Sequence, residues 1–376
     1  MIGVCKETEQ NEKRVAITPE GVKKLSDDGL QVTIESGAGV ESSYSDSDYT
    51  DAGANIEKSR SKILSECDIL LAVQAPPVKD IEKMKSGSVL ISFIWPLQNS
   101  DYIEVLKKQG VSGLAMDTIP RISRAQSMDA LSSMSNIAGY KAALIGANTL
   151  DKYLPMMMTA AGTIRPAKVL VLGAGVAGLQ AIATAKRLGA VVEAFDIRSA
   201  VKEQVESLGA TFVEAEAEDD KEEAETKGGY AKEQTESDKE KQQKLVHDHV
   251  AKADIVITTA LVPGRPAPKL IPKTMVDDMK AGSVIVDIAA EQGGNCELTK
   301  AGETVNHNGV LIVGPLNMPS MLAFHASKLY SKNVLSLLEL LLEDGKPNFN
   351  FEDEIIVNAT VTHEGELISP FVKENM

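Results

Sequence analysis

Short apolar runs pace this chain, with helical patterns between them. In its N-terminal stretch the runs are "IGVC", "QVTIES", "DILLAV", "SVLISFIW" and "GLAM". Amphipathic stretches such as "PEGVKKLSDDG" separate them, with Pro19 suited to a helix start and Gly29 to its end. Alternation of this kind predicts a parallel sheet with helices on both faces. The C-terminal stretch repeats the scheme with "AKVLVLGAG", "AVVEAFD", "ATFVEA", "DIVITTALVPG", "SVIVDIAA" and "GVLIVG". There is an internal echo: "CDILLAV" followed by "KSGSVLISF" resembles "ADIVITTAL" followed by "KAGSVIVDI".

The expected fold is therefore α/β, with two doubly wound, Rossmann-like domains separated by a cofactor cleft. The boundaries read as 1–131 plus a return of 315–376 for the first domain, and 132–314 for the second. Within 320–344, "SKNVLSLLELLLEDG" predicts a helix with a broad apolar face. "EIIVNATVTHEGELI" reads as strands, with a hairpin turning at Glu364-Gly365 and packing back on the first domain. From Glu214 to Gln243 the chain is nearly all charged or small. It reads either as a solvated acidic segment or as a lid, with Gly228 and Gly229 as hinge and Tyr230 as the group that docks.

Composition narrows the function. The 376 residues carry a formal charge of −15, which repels phosphate backbones and anionic lipid and excludes a nucleic-acid partner. Cys5, Cys67 and Cys296 are odd in number and far apart, as in a reducing compartment. The chain opens directly into a strand-like "IGVCKE", and no apolar run reaches the ~18 residues that span a bilayer. These features predict a cytoplasmic chain that does not itself insert into a membrane.

"KVLVLGAGVAGLQAIATAKRLG" marks a cofactor. A buried strand leads into Gly173, Gly175 and Gly178, and a helix follows from Val176. Gly173 permits the tight turn, Gly175 lets backbone approach a pyrophosphate, and Gly178 lets the helix lie close to the strand. A second strand ends in Asp196, ~20 residues on, where a carboxylate accepts adenosine ribose hydroxyls. Asp196 would repel a 2′-phosphate, which favours NAD(H). Arg198 opposes that preference, since an arginine there could pair with such a phosphate. Thr259, Ala260 and Leu261 follow another strand and are placed to flank the cofactor, and Asp287, Glu291 and Gln292 follow a third. His247 and His249 lie on different faces of a helix, which is poor metal geometry, and no metal site is expected. There is no GxSxG, HExxH, CxxC or Walker A motif.

"PRISRAQSMDALSSMSNIAGY" is rich in varied hydrogen-bonding groups. With the glycine-loop segment, "VKEQVESLGA", "GGYAKE", "TTALVPGRPAPKLI" and "GSVIVDIAAEQGGNCE", it closely resembles the NAD(H)-binding domain of proton-translocating nicotinamide nucleotide transhydrogenase. That domain is the first, soluble portion of the alpha subunit. The resemblance implies that Arg121, Ile122, Ser123, Gln126, Asp129 and Ser132 hold the nicotinamide. In it, Gln126 bridges toward the NADP(H) nicotinamide on a separate domain. It likewise implies that Val176, Asp196, Ile197 and Arg198 line the adenosine side. Direct hydride transfer needs two rings aligned and neither acid, base nor metal. The resemblance further implies a homodimer and membrane-spanning partner subunits. A related family, alanine dehydrogenase, shares the "RVAITP" opening. It has a lysine where Gln74 stands and a histidine where Trp95 stands, while Arg14 and an acid at Glu291 remain. An NAD(H)-sensing module on the same fold is a third reading.

Overall fold

The computed structural model describes residues 1–214, 236–262 and 264–376. The expected lid residues Gly228, Gly229 and Tyr230 lie outside the described residues. The chain divides into two units, Met1–Met134 with Ser320–Met376, and Ser135–Pro319.

The sheet of the first unit runs, edge to edge, Glu366–Leu367, Thr360–His363, Ser112–Ala115, Val89–Ser92, Ile69–Leu71, Ile2–Val4, Val32–Glu35, Asn55–Glu57. The six strands from Ser112–Ala115 to Asn55–Glu57 pair in parallel. Thr360–His363 adds antiparallel, so the C-terminal segment completes this sheet. Glu364 and Gly365 turn the hairpin with φ of 49° and 81°, the mirror-image geometry that suits strand twist. Strands buried on both faces read as continuous apolar runs, and Ile69–Leu71 and Val89–Ser92 are buried throughout.

The second unit has the order Thr211–Phe212, Val191–Phe195, Lys168–Leu172, Ile255–Thr258, Val284–Asp287, Val310–Val313, Thr304–His307. All pairs are parallel except the last. In each sheet the strand order reverses beside the first strand, the plan of a doubly wound fold. The echoed sequences fall at matching places. Ile69–Leu71 and Ile255–Thr258 each lie beside the first strand of their unit, and Val89–Ser92 and Val284–Asp287 come next.

Three local expectations need correction. Glu354–Ala359, read as strand, is a helix, because Asp353 caps it by accepting from the Ile355 amide. Asn55–Glu57 and the hairpin Met157–Thr159/Gly162–Ile164 are too short and exposed to carry an apolar run. The polar "PRISRAQSMDALSSMSN" is a 3₁₀ turn, Ser123–Met128, followed by the first turns of the helix Ala130–Thr149. That helix is rich in small residues because it packs closely. A side chain at Gly139 would run into the Ala177 carbonyl at the start of the glycine-loop helix. Ala138, Ala142 and Ala143 enter the core of the second unit beside Val169, Ala181 and Ile182.

Candidate functional site

The second unit carries the glycine loop at its reversal of strand order, between Lys168–Leu172 and Val176–Arg187. Its three glycines differ in their surroundings. Gly173 has φ 100°, and a β-carbon there would meet Thr259 Oγ1 at 2.5 Å. A β-carbon at Gly178 would collide with the Gly173 carbonyl. At Gly175 the nearest atom to such a carbon is Arg198 Nη2, at 4.0 Å. The first and third glycines are thus fixed by packing, while the second leaves backbone open to an approaching group. Gly175 is the N-cap of a twelve-residue helix and makes no side-chain cap, so free N–H groups and the positive end of the helix dipole face that opening. Val176 is 42% exposed at its first turn. Residues of this kind suit the pyrophosphate of a dinucleotide.

Asp196 follows Val191–Phe195 directly and lies against the loop. Its Oδ2 accepts from the Ala174 amide at 2.7 Å. Arg198 grips the same carboxylate through its amide (2.9 Å), Nε (3.0 Å) and Nη2 (2.9 Å). Ile197, between them, is partly exposed. Thr259 donates to the Gly173 carbonyl (3.1 Å), and Ala260 is held at both ends by Asn295. Leu261 is exposed beyond them. Of the third strand's loop, Asp287 is fully buried and is a hub rather than a binding group. It accepts from Thr258 Oγ1, Thr299 Oγ1 and the amides of Ala289 and Cys296. Glu291 accepts from the Asn317 amide. His247 and His249 pair with different carboxylates, Asp278 and Glu193.

The first unit carries the Arg121–Ser132 segment. Arg121, Ser123 and Gln126 are exposed, Ile122 is half-buried, and Ala125 and Met128 anchor the turn in the interior. Asn333 donates to the Ser127 carbonyl (2.8 Å), and Arg124 makes a two-bond pair with Asp353. Asp129 caps the following helix: its Oδ1 accepts from the Ser132 amide (2.8 Å) and its Oδ2 from the Ser132 hydroxyl (2.5 Å). Exposed groups therefore stand on a turn fixed from both sides.

Sequence reasoning missed two features of this unit. One is a buried cluster around Glu12, which accepts from Arg14 Nε (2.8 Å) and Nη2 (2.6 Å), Gln74 Nε2 (3.0 Å) and Ser320 Oγ (2.5 Å). Burial pushes this carboxyl up, but the Arg14 bonds and charge outweigh it and hold it at about 2. The other is a repeat of the acid clamp. Glu35, at the end of Val32–Glu35, accepts from the Lys6 amide at 2.8 Å. Lys6 lies two residues past the first strand of its unit, as Ala174 does past Leu172, and each acid sits one residue past the partner of that strand's last residue. There too an arginine is bonded to the acid, here Arg60 (2.9 Å).

Family profiles match both halves of the chain: the alanine dehydrogenase/PNT N-terminal domain over residues 3–138, and the C-terminal domain over 142–370. The chain belongs to the alanine dehydrogenase/PNT family. Within that family it is 49% identical to the first of the NAD(P) transhydrogenase subunit alpha chains of Rhodospirillum rubrum, with 98% of both chains covered. A transhydrogenase structure from Sinorhizobium meliloti matches with a TM-score of 0.89 and 45% identity, over 98% of this chain and 99% of that one. The alanine dehydrogenase of Mycolicibacterium smegmatis is 30% identical, over 100% of this chain and 96% of its own. At the two positions that separate the branches of the alanine dehydrogenase/PNT family in the sequence reading, Gln74 is bonded to Glu12 and Trp95 stacks on Phe93.

Proposed function

We propose that this chain is the NAD(H)-binding component of a proton-translocating transhydrogenase. A bound nicotinamide supplies the hydride chemistry, and hydride passes directly to or from NADP(H) held on a partner domain. Membrane-spanning subunits couple that transfer to proton movement, with this chain as a homodimer on the cytoplasmic side. The likeness to transhydrogenase alpha chains over nearly the whole length carries this reading. The glycine loop and Asp196 support NAD(H) as the resident cofactor. Among the described residues no helix is long and apolar enough to cross a membrane, so the membrane step falls to partners. Gln74 and Trp95 offer neither the cation nor the titrating group that an oxo-acid reduction uses, which disfavours the alanine dehydrogenase reading.

In this proposal the residues of this chain do positioning alone. The glycine loop takes the pyrophosphate, and Arg121, Ile122, Ser123, Asp129 and Ser132 hold the nicotinamide. The exposed Gln126 reaches toward the second ring. Gln126→Asn keeps the amide and shortens its reach. NADH binding by equilibrium titration should survive. Stopped-flow transfer to a nicotinamide on an added NADP(H)-binding domain should fall ~100-fold, the scale for reacting centres misplaced by about 1 Å. An unchanged rate, or a rate that falls only in step with NADH affinity, would remove this role.

A further inference from the structure

Asp196 is at the centre of an acceptor set that is already full. Oδ1 accepts from the Arg198 amide and Nε, and Oδ2 from the Ala174 amide and Arg198 Nη2. Side-chain exposure is 6% for Asp196 and 19% for Arg198. Arg198 Nη2 is also the nearest atom to the open side of Gly175. A guanidinium thus stands between the ribose-binding carboxylate and the stretch of backbone left open for phosphate. A guanidinium fork matches phosphate as well as carboxylate.

We propose that Arg198 is a dormant 2′-phosphate receptor, kept from that use by Asp196, so that the pair rather than the aspartate alone sets cofactor choice. This rests on the reading that the second unit binds NAD(H). With the native pair intact, a 2′-phosphate meets a carboxylate and finds the guanidinium already engaged. Ribose hydroxyls are neutral and can share the carboxylate once Arg198 swings aside. Neutralising Asp196 should release Arg198 to fork onto the phosphate. If Asp196 acted only by charge repulsion, Arg198 would have no part in that gain.

The test is fluorescence titration with NADH, NADPH and adenosine 2′,5′-bisphosphate. It compares the native chain, Asp196→Asn, Arg198→Met and the double variant. Asn keeps an oxygen for the Ala174 amide, and Asp196→Ser repeats the comparison should Asn disturb the loop. Asp196→Asn should bind NADPH and the bisphosphate ~10-fold tighter or more than the native chain, the worth of one charge-assisted pair. Arg198→Met alone should keep NADH binding within ~3-fold, and in the double variant the gain for both phosphorylated ligands should vanish. No gain in either Asp196 variant would overturn the inference, and so would a gain that survives loss of Arg198. A native chain that binds no NADH is a distinct outcome: it removes the functional reading on which the inference stands.

Discussion

Glu7 follows the first strand and accepts hydrogen bonds from the amides of Val73 (2.6 Å) and Gln74 (3.2 Å). It fixes the backbone that carries Gln74. Burial pushes its carboxyl up to about 7, more than the two amides and Arg14 pull it down. Asp117 has the same task at the next loop, bonded by the amides of Ile94 and Trp95, and burial raises it to about 6. Below the unfolded value both states hold the proton. Between that value and about 7 the folded chain keeps a proton that the unfolded chain has released. Stability therefore falls as pH rises through this window. Glu7 should account for ~1–3 kcal/mol of that fall, at ~1.4 kcal/mol for each tenfold change in proton affinity. Urea unfolding of Glu7→Gln across about pH 5 to 8 should show a shallower slope than the native chain, with Asp117 supplying the remainder. A slope equal to the native one would mean that Glu7 is ionised throughout. Neither residue was legible as a clamp in the sequence, since a lone acid after a strand carries no spacing signal.

The segment from Arg121 to Ser132 shows how one element can hold two meanings. Asp129 belongs to the group that the family resemblance assigns to the nicotinamide. It is also the N-cap of a twenty-residue helix, bonded twice to Ser132. The two roles separate by substitution. Asn caps as well as Asp, so Asp129→Asn should leave the melting temperature within about 2 °C, whereas Asp129→Ala should cost ~1 kcal/mol. If the carboxylate also holds the cofactor, both variants should weaken NADH binding. NADH affinity that follows stability alone would leave Asp129 as a cap only. The "MDALS" pattern was open to a capping reading from the start, but the density of polar groups drew attention to ligand chemistry. The glycine loop was more legible, because spacing, strand and helix agree there. Gly139 was not, because its partner is a carbonyl 38 positions on, a contact with no local trace (139 to 177). The helix Glu354–Ala359 escaped because "EIIVNA" is apolar and β-branched, and the cap at Asp353 outweighs that preference.

At the scale of the molecule, the two α/β sheets were readable from alternation alone, and the echoed runs do occupy matching strands. Short exposed strands were not, since they bury little and leave no periodic pattern. The first unit is discontinuous, its sheet and core completed by the C-terminal segment. Val361 and Val372 join Leu70, Leu90 and Leu106 in one core cluster, and Tyr330 donates to the Ala72 carbonyl (2.8 Å). A chain stopped after Pro319 should therefore lose the first unit and keep the second. Trypsin should digest residues 1–134 rapidly while circular dichroism still reports one cooperative melt. Protection of the N-terminal portion would contradict this dependence. The same discontinuity bears on synthesis. The first six strands leave the ribosome long before the segment that closes their sheet. At ~5–20 residues per second, they wait roughly 10–50 s for it. Through that interval Ser112–Ala115 offers a bare edge and an uncovered apolar face, so the N-terminal third of the nascent chain is where a holding chaperone would act.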